Sequence, residues 1–507
     1  MDKDQKKIGV VLSYVTLALS TLVGIVYVPL YLHYMGQSEY GVYQLMGSLI
    51  SVLVIMDFGL PSTIVRFYSK YKTLNDTENM ENILAMCSRV YAAITVIILA
   101  VGAVLYFSLD SLFASSLTPM EFISAKKIYI VLLINIAITL PTHVFTAIIT
   151  SYERFVFLKM LSIFQIILQF VLVIAVMSVS PTAFSLSIVV TFVNIVSTLL
   201  KIYYSFHKLK VRIKLHYFDK DLFASIMKFS FFIFLNVILD QIIWRANPII
   251  LGSVASTAAV AVYTTAFQIV NNYMAISNIV TNVFLPSVTS MITRRVPDKE
   301  LSNLFIRIGR IQFLLLSCVL TGFILFGRQF VLIWAGEDFI DAYLITLIFI
   351  VPFTVELIQN IGLVILQAEN RFAFRALVFL SIAAASIFLS VPAAKRFGGI
   401  GCSAVTGFVF FIGDVFVMNY YYKKYINIDI RSFWIEIAKI AVPSMFCCAI
   451  GTLLNYFTML GSIANLLIKI MIYVVFYAGV MWIFVMNSYE KNLIRSPFMK
   501  ILKRNKA

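Results

Sequence analysis

Residues 1–34 read MDKDQKKIGVVLSYVTLALSTLVGIVYVPLYLHY. Lys3, Lys6 and Lys7 stand before an apolar run that continues from Ile8 to about Tyr34. A helix needs roughly 20 apolar residues to cross a bilayer, and this run exceeds that. It is too long for the core of a secretory signal and has no A-x-A cleavage site, so it is expected to remain as a helix. The pattern then repeats. Apolar stretches at 41–66, 82–108, 127–149, 156–178, 183–206, 228–251, 257–290, 303–326, 339–366, 373–394, 399–422, 434–456 and 463–487 predict thirteen further spans. The stretch 257–290 is over-long and is expected to project from the membrane or bend at Pro286.

The whole composition agrees. Of 507 residues, 61% are hydrophobic and 13% charged, with a mean hydropathy of +0.94. A soluble domain carries about 25% charged residues. Lipid must therefore be the solvent. The net charge of +16 would suggest nucleic acid in a soluble protein. Here it has a simpler source, because cytoplasmic loops collect Lys and Arg. With the N-terminus inside and the ends alternating, 32 Lys and Arg fall on inside segments and 5 on outside ones. Arg89, Arg245 and Lys469 fall within spans. One missed helix would reverse every later loop, so the bias predicts fourteen transmembrane helices with both ends inside. No nucleic-acid partner is expected.

The fold expected is an all-α integral membrane bundle of two pseudo-symmetric six-helix lobes plus two C-terminal helices. Residues 1–206 form the N-terminal lobe, 207–227 a cytoplasmic or interfacial linker, and 228–422 the C-terminal lobe. Helices thirteen and fourteen occupy 423–487, and 488–507 is a basic cytoplasmic tail suited to the membrane surface. Val211–Phe229 mixes Lys and Asp with apolar residues and reads as an interfacial helix. The two halves share a weak signature. Gly36 starts a turn, Gly41-Val42-Tyr43 opens span two and Leu60-Pro61-Ser62 closes it, with Pro61 allowing a kink. Gly252, Ala261-Val262-Tyr263 and Leu285-Pro286-Ser287 echo this around span eight. Such repeats are common in transporters and would set a substrate path between the halves.

Polar residues at membrane depth are costly and usually face a cavity or a partner. Asn236, Asp240 and Asn247 recur on one face of span seven, with Arg245 just beyond Asp240. They read as a cavity wall for an anionic headgroup, with Asp240 restraining Arg245 or carrying a proton; the plainer alternative is an ion pair to another helix. Asn271, Asn278 and Asn282 repeat the pattern on span eight, as a hydrated surface or as inter-helix glue. Asp57 in span two, Glu356 in span ten and Asp414 in span twelve are candidates for H⁺ or Na⁺ coupling, alongside Asp240. His143 after Pro141 reads as a lone, satisfied histidine. The five cysteines lie in or beside apolar stretches without metal-ligand spacing. No catalytic residue, metal site or organic cofactor is expected, and no Gly-rich phosphate loop is present.

Several motifs carry a resemblance. Met35-Gly36-Gln37-Ser38-Glu39-Tyr40-Gly41-Val42-Tyr43 joins spans one and two, and Asp57-Phe58-Gly59-Leu60 follows. Asp240 precedes Ile249-Ile250-Leu251-Gly252 and Ala261-Val262-Tyr263. Ser151-Tyr152-Glu153-Arg154-Phe155 is echoed by Gln367-Ala368-Glu369-Asn370-Arg371-Phe372. With the fourteen spans, these make the chain resemble, over its whole length, the polysaccharide and oligosaccharide-lipid flippases of the multidrug/oligosaccharidyl-lipid/polysaccharide (MOP) exporter superfamily. The resemblance implies alternating access and a polyprenyl-(pyro)phosphate-linked oligosaccharide moved from the inner to the outer leaflet of a bacterial cytoplasmic membrane. It implies membrane lipids, a polysaccharide polymerase and other assembly proteins as partners. Some relatives line the cavity with several arginines, whereas this chain sets only Arg245 near mid-membrane. A drug or metabolite exporter would share the fold. A membrane-embedded polymerase or glycosyltransferase would call for a larger outside loop or a carboxylate pair, for which Glu39 alone is a poor candidate.

Overall fold

The computed structural model describes residues 2–114, 116–294, 296–368, 372–456, 463–493 and 495, and every regular element among them is helical. In chain order these are α1 (Asp2–Leu53), α2 (Leu60–Thr73), α3 (Thr77–Phe113), α4 (Pro119–Thr139), α5 (His143–Ser151), α6 (Phe155–Val179), α7 (Ala183–Tyr203) and α8 (Lys220–Val254). Then come α9 (Thr257–Thr293), α10 (Asp298–Ala335), α11 (Asp341–Ile358), α12 (Asn360–Ala368), α13 (Phe372–Phe411), α14 (Asn419–Tyr425), α15 (Ile430–Tyr456) and α16 (Ile463–Val480). Among the described residues, ten helical stretches are long and apolar enough to cross a bilayer. Two of them, Val11–Thr73 and Leu377–Tyr425, each take in two predicted spans. Phe107, Phe388 and Phe484 are 76%, 78% and 78% exposed, side chains that only lipid would solvate. The chain is an all-helical, multi-pass membrane protein.

Helix limits follow local chemistry. Gly36, at φ 77°, turns the chain inside α1 and separates the first two spans. Gly398, at φ 56°, does the same inside α13. Asp76, Thr118, Thr182 and Asp219 cap α3, α4, α7 and α8 by accepting backbone N–H groups. The break in span two lies at Phe58 and Gly59, both left-handed, after a 3₁₀ turn at Val54–Asp57. Pro61 then sits in the first turn of α2, where its missing N–H removes no hydrogen bond, so it starts a helix rather than kinking one.

Three sequence expectations are corrected. Residues 210–219 are not helical. Within Val211–Phe229, helix begins only at Lys220, because long-range bonds hold the preceding chain extended. The His216 N–H donates to Asn82 Oδ1 at 3.2 Å, His216 Nε2 pairs with Glu81 at 2.8 Å, and the Tyr217 hydroxyl donates to Asn79 at 2.6 Å. Gly252 lies within α8, and the turn falls at Ala255–Ser256 instead. The Leu285-Pro286-Ser287 echo carries no helix end, since α9 runs to Thr293. Glu369, Asn370, Arg371 and residues 496–507 lie outside the described residues.

The chain divides into two compact units, 1–264 with 394–399 and 265–393 with 400–507. In the first, the Gly36–Tyr43 motif is a packing hub. Ser38 and Thr257 both donate to Glu121, the acid of the α4 capping box. Glu39 accepts from Ser124 at 2.9 Å and from the Ala183 N–H at 3.0 Å, tying α4 to the start of α7. In the second unit, α10, α15 and α16 enclose a cluster that includes Leu314, Phe326, Ile440, Cys447 and Tyr473. Tyr473 donates to Thr321 and Tyr477 pairs with Ser317, both at 2.6 Å. Arg310 on α10 is 5% exposed and bonds Glu436 on α15 and Glu490, each at 2.7 Å. All five cysteines are free thiols.

Candidate functional site

The polar face of α8 begins from how that helix is held. Phe58 stacks on Phe234 with ring centroids 4.3 Å apart, and Thr63 pairs with the buried Ser230 at 2.8 Å. Leu45 packs against Gly252, where no side chain intervenes. These contacts set the rotation of α8. Arg245 is exposed and, among the described residues, makes no hydrogen bond or ion pair. A guanidinium turned to lipid would be costly, so this surface is one where water or an anion can reach it. Asn247 is buried instead, and its amide donates to the Tyr263 hydroxyl at 2.8 Å, joining α8 to α9. The side chains of Asn236 and Asp240 lie outside the described residues, as does that of Asn282.

On α9, Asn271 and Asn278 are both exposed. Asn278 Oδ1 accepts from Asn360, at the start of α12, at 3.0 Å. The opposite side of α9 is packed: Gln312 on α10 donates to Ser277 and Thr281, each at 2.9 Å. Ser277 and Thr281 thus join α9 to α10, while Asn278 both reaches the surface and joins α9 to the start of α12.

Asp57 has partners the sequence did not suggest. Its carboxylate accepts from the buried Tyr91 hydroxyl at 2.7 Å and lies 3.4 Å from His143 Nδ1. The break after Asp57 and the 3₁₀ turn at Leu140–Thr142 present the acid and the imidazole to each other. A carboxylate, a phenol and an imidazole are thus brought together from three separate elements.

A second charged cluster lies in the other unit. Glu356 on α11 pairs with Arg375 on α13 at 3.1 Å. Asp414 is close enough to feel both charges. It sits in a π-helical turn, Ile412–Met418, is 4% exposed, and its Oδ2 has no hydrogen-bond partner among the described residues. Such turns are frequent at functional positions. Glu356 and Asp414 thus lie near one guanidinium, which is ion-paired to Glu356. His143, expected to be a lone histidine, faces Asp57 instead, and Arg375 was not among the candidate site residues. A basic residue entering span eleven beside an acid leaving span ten was the available signal.

Residues 8–292 match the sequence profile of the polysaccharide biosynthesis protein family. No curated protein matches the chain by sequence. Among solved structures, the fold is similar to the lipid II flippase MurJ in its inward closed conformation, with a TM-score of 0.73. That alignment has 15% identity and covers 93% of this chain and 99% of that one. It is also similar to an inward-facing multidrug resistance MATE family transporter of the MOP superfamily (TM-score 0.66, 14% identity, covering 78% and 92%). A MOP superfamily transporter from Pyrococcus furiosus matches at TM-score 0.54 and 14% identity, over 82% and 92%. With its bundle built as described and more than half its length matching one family, the chain belongs to the polysaccharide biosynthesis protein family and has the fold of the MOP transporters.

Proposed function

We propose that this protein is a flippase that carries a polyprenyl-(pyro)phosphate-linked oligosaccharide from the inner to the outer leaflet of a bacterial cytoplasmic membrane, by alternating access, for surface polysaccharide biosynthesis. The observation that carries this reading is the family match over residues 8–292, which takes in all of α8 with its exposed Arg245. The chemistry agrees. A sugar–phosphate head needs water and a cation, while its polyprenyl tail can stay in lipid. Arg245 would meet the phosphate, and Asn271 and Asn278 would meet sugar hydroxyls. Energy would come from H⁺ or Na⁺ acting at Asp57 and at the Glu356–Arg375–Asp414 cluster. Membrane lipids and the polymerase that uses the flipped unit would be its partners. The protein itself performs no covalent step in this reading.

Lipid analysis of a deletion strain tests it, with the leaflet of any accumulated unit probed from outside. Complete lipid-linked units trapped on the inner leaflet are expected. Complete units already outside and unpolymerised would point to a polymerase or a later step. An unchanged lipid pool would favour the second reading, export of a small molecule. That reading has its own support in the fold shared with the MATE transporter. Sensitivity of the deletion strain to cationic drugs separates it.

A further inference from the structure

We propose that the first unit carries a phosphate-binding cavity where α5, α6 and α7 meet, built from residues outside the polar face of α8. The cavity has a volume of about 280 Å³. Its polar lining is Thr146 from α5, Lys159, Ser162 and Gln165 from α6, and Ser197 and Lys201 from α7. Two lysines line one cavity, and no Asp or Glu lines it. Neither Lys159 nor Lys201 makes a hydrogen bond or ion pair among the described residues.

The hydroxyls complete the pattern. Ser197 Oγ and Thr146 Oγ1 are both buried without a hydrogen-bond partner among the described residues, and Ser197 is 4% exposed. Leaving a buried donor unsatisfied costs about 1–3 kcal/mol, and native proteins seldom leave two at one place. Two half-buried like charges add their mutual repulsion. All four groups lack the same thing, an oxygen-rich anion. A phosphate ester supplies more acceptor oxygens than a carboxylate and takes charge-assisted bonds from ammonium groups.

The deep end is already closed. Gln165 donates to Asn194 at 2.9 Å, and Asn194 donates to Asn135 at 3.2 Å, so the amides above the cavity answer one another and not the cavity. Ser162 donates back to the Leu158 carbonyl. Phe155, Leu158 and Leu161 supply an apolar wall along which a hydrocarbon chain can leave. The ligand chemistry is thus a phosphate group, and its two sources are a lipid headgroup and free phosphate. This inference does not rest on the flippase reading, because an exporter in the same membrane would meet the same anions.

The test uses the full chain, delipidated in a phosphate-free maltoside detergent. Acylation of Lys159 and Lys201 is read by peptide mass spectrometry, with the exposed Lys210 as internal reference. The arms are detergent alone, added phosphatidylglycerol, and added inorganic phosphate. Expected is slowing of acylation at both lysines by about tenfold relative to Lys210, the scale of one charge-assisted hydrogen bond. Slowing by phosphatidylglycerol alone assigns a lipid headgroup; slowing by inorganic phosphate as well assigns a free phosphate. No slowing in either arm overturns the proposal. Ser197→Ala, which keeps both charges and should fold, is expected to lose most of the protection. Protection undiminished in Ser197→Ala and at Lys159 in Lys201→Gln would show general charge screening and also overturn it.

Discussion

Arg245 is a permanent cation on a surface that the described carboxylates leave to it. Removing it takes away the exposed guanidinium of α8 that could hold a phosphate. Arg245→Ala is expected to abolish translocation at unchanged protein level, measured as loss of surface polysaccharide against immunoblotted expression. Wild-type export from that variant would remove Arg245 from the mechanism. Arg245→Lys should recover only part of the activity, since an ammonium cannot grip a phosphate bidentately. The carboxylates make a separate prediction. Glu356 and Asp414 lie near one guanidinium, so Asp414→Asn removes one of the two carboxylates beside Arg375. Transport by Asp414→Asn or Glu356→Gln is expected to lose its dependence on external pH or on Na⁺ in reconstituted vesicles. Unchanged dependence in both variants would place coupling elsewhere, with Asp57 and His143 next to be tested.

The elements of this bundle are set by a few short segments, and the Gly36–Tyr43 stretch is the clearest. Gly41 lies where a Cβ would overlap the carbonyl oxygen of Thr257 at the start of α9. Gly41→Ala must push a helix backbone aside, a change expected to cost about 1–3 kcal/mol. A lowered thermal midpoint of the purified protein would show it, while an unchanged midpoint would mean the helices slide apart freely. This segment also shows what the sequence could and could not tell. The apolar runs and the basic loops announce helices because both signals are local and repeated. The non-helical chain at 210–219 was legible but misread, since Val211-Arg212-Ile213-Lys214-Leu215-His216 alternates with the period of two of an extended segment, not the 3.6 of an amphipathic helix. Its pins, Asn79, Glu81 and Asn82, lie more than 130 residues away. His143 and Asp57 are likewise 86 residues apart, and no local pattern could join them. Asn247 was misleading for the opposite reason: its spacing fits the polar face, yet Tyr263 buries it.

At the scale of the molecule, the charge bias makes an orientation testable. The native cysteines are five free thiols and can be replaced before single cysteines are introduced. Asp110→Cys is expected to react with an impermeant maleimide in intact cells, and Lys210→Cys only after permeabilisation. Labelling of both from outside would refute the fourteen-span arrangement. The legible part of the design was its periodicity, and the hidden part was the pairing of distant charges. Arg310 shows what such pairing means in time. Its partner Glu490 lies 180 residues further along the chain. At about 5–20 residues per second, a ribosome needs roughly 10 to 40 seconds to make that stretch. Throughout that interval a guanidinium destined for burial has no access to this carboxylate. Glu436, also 2.7 Å from Arg310, is made first, so the guanidinium can be half-paired before Glu490 completes the site. Until then one face of that cation waits for a carboxylate that does not yet exist, and the order of synthesis sets the order in which its two partners can be met.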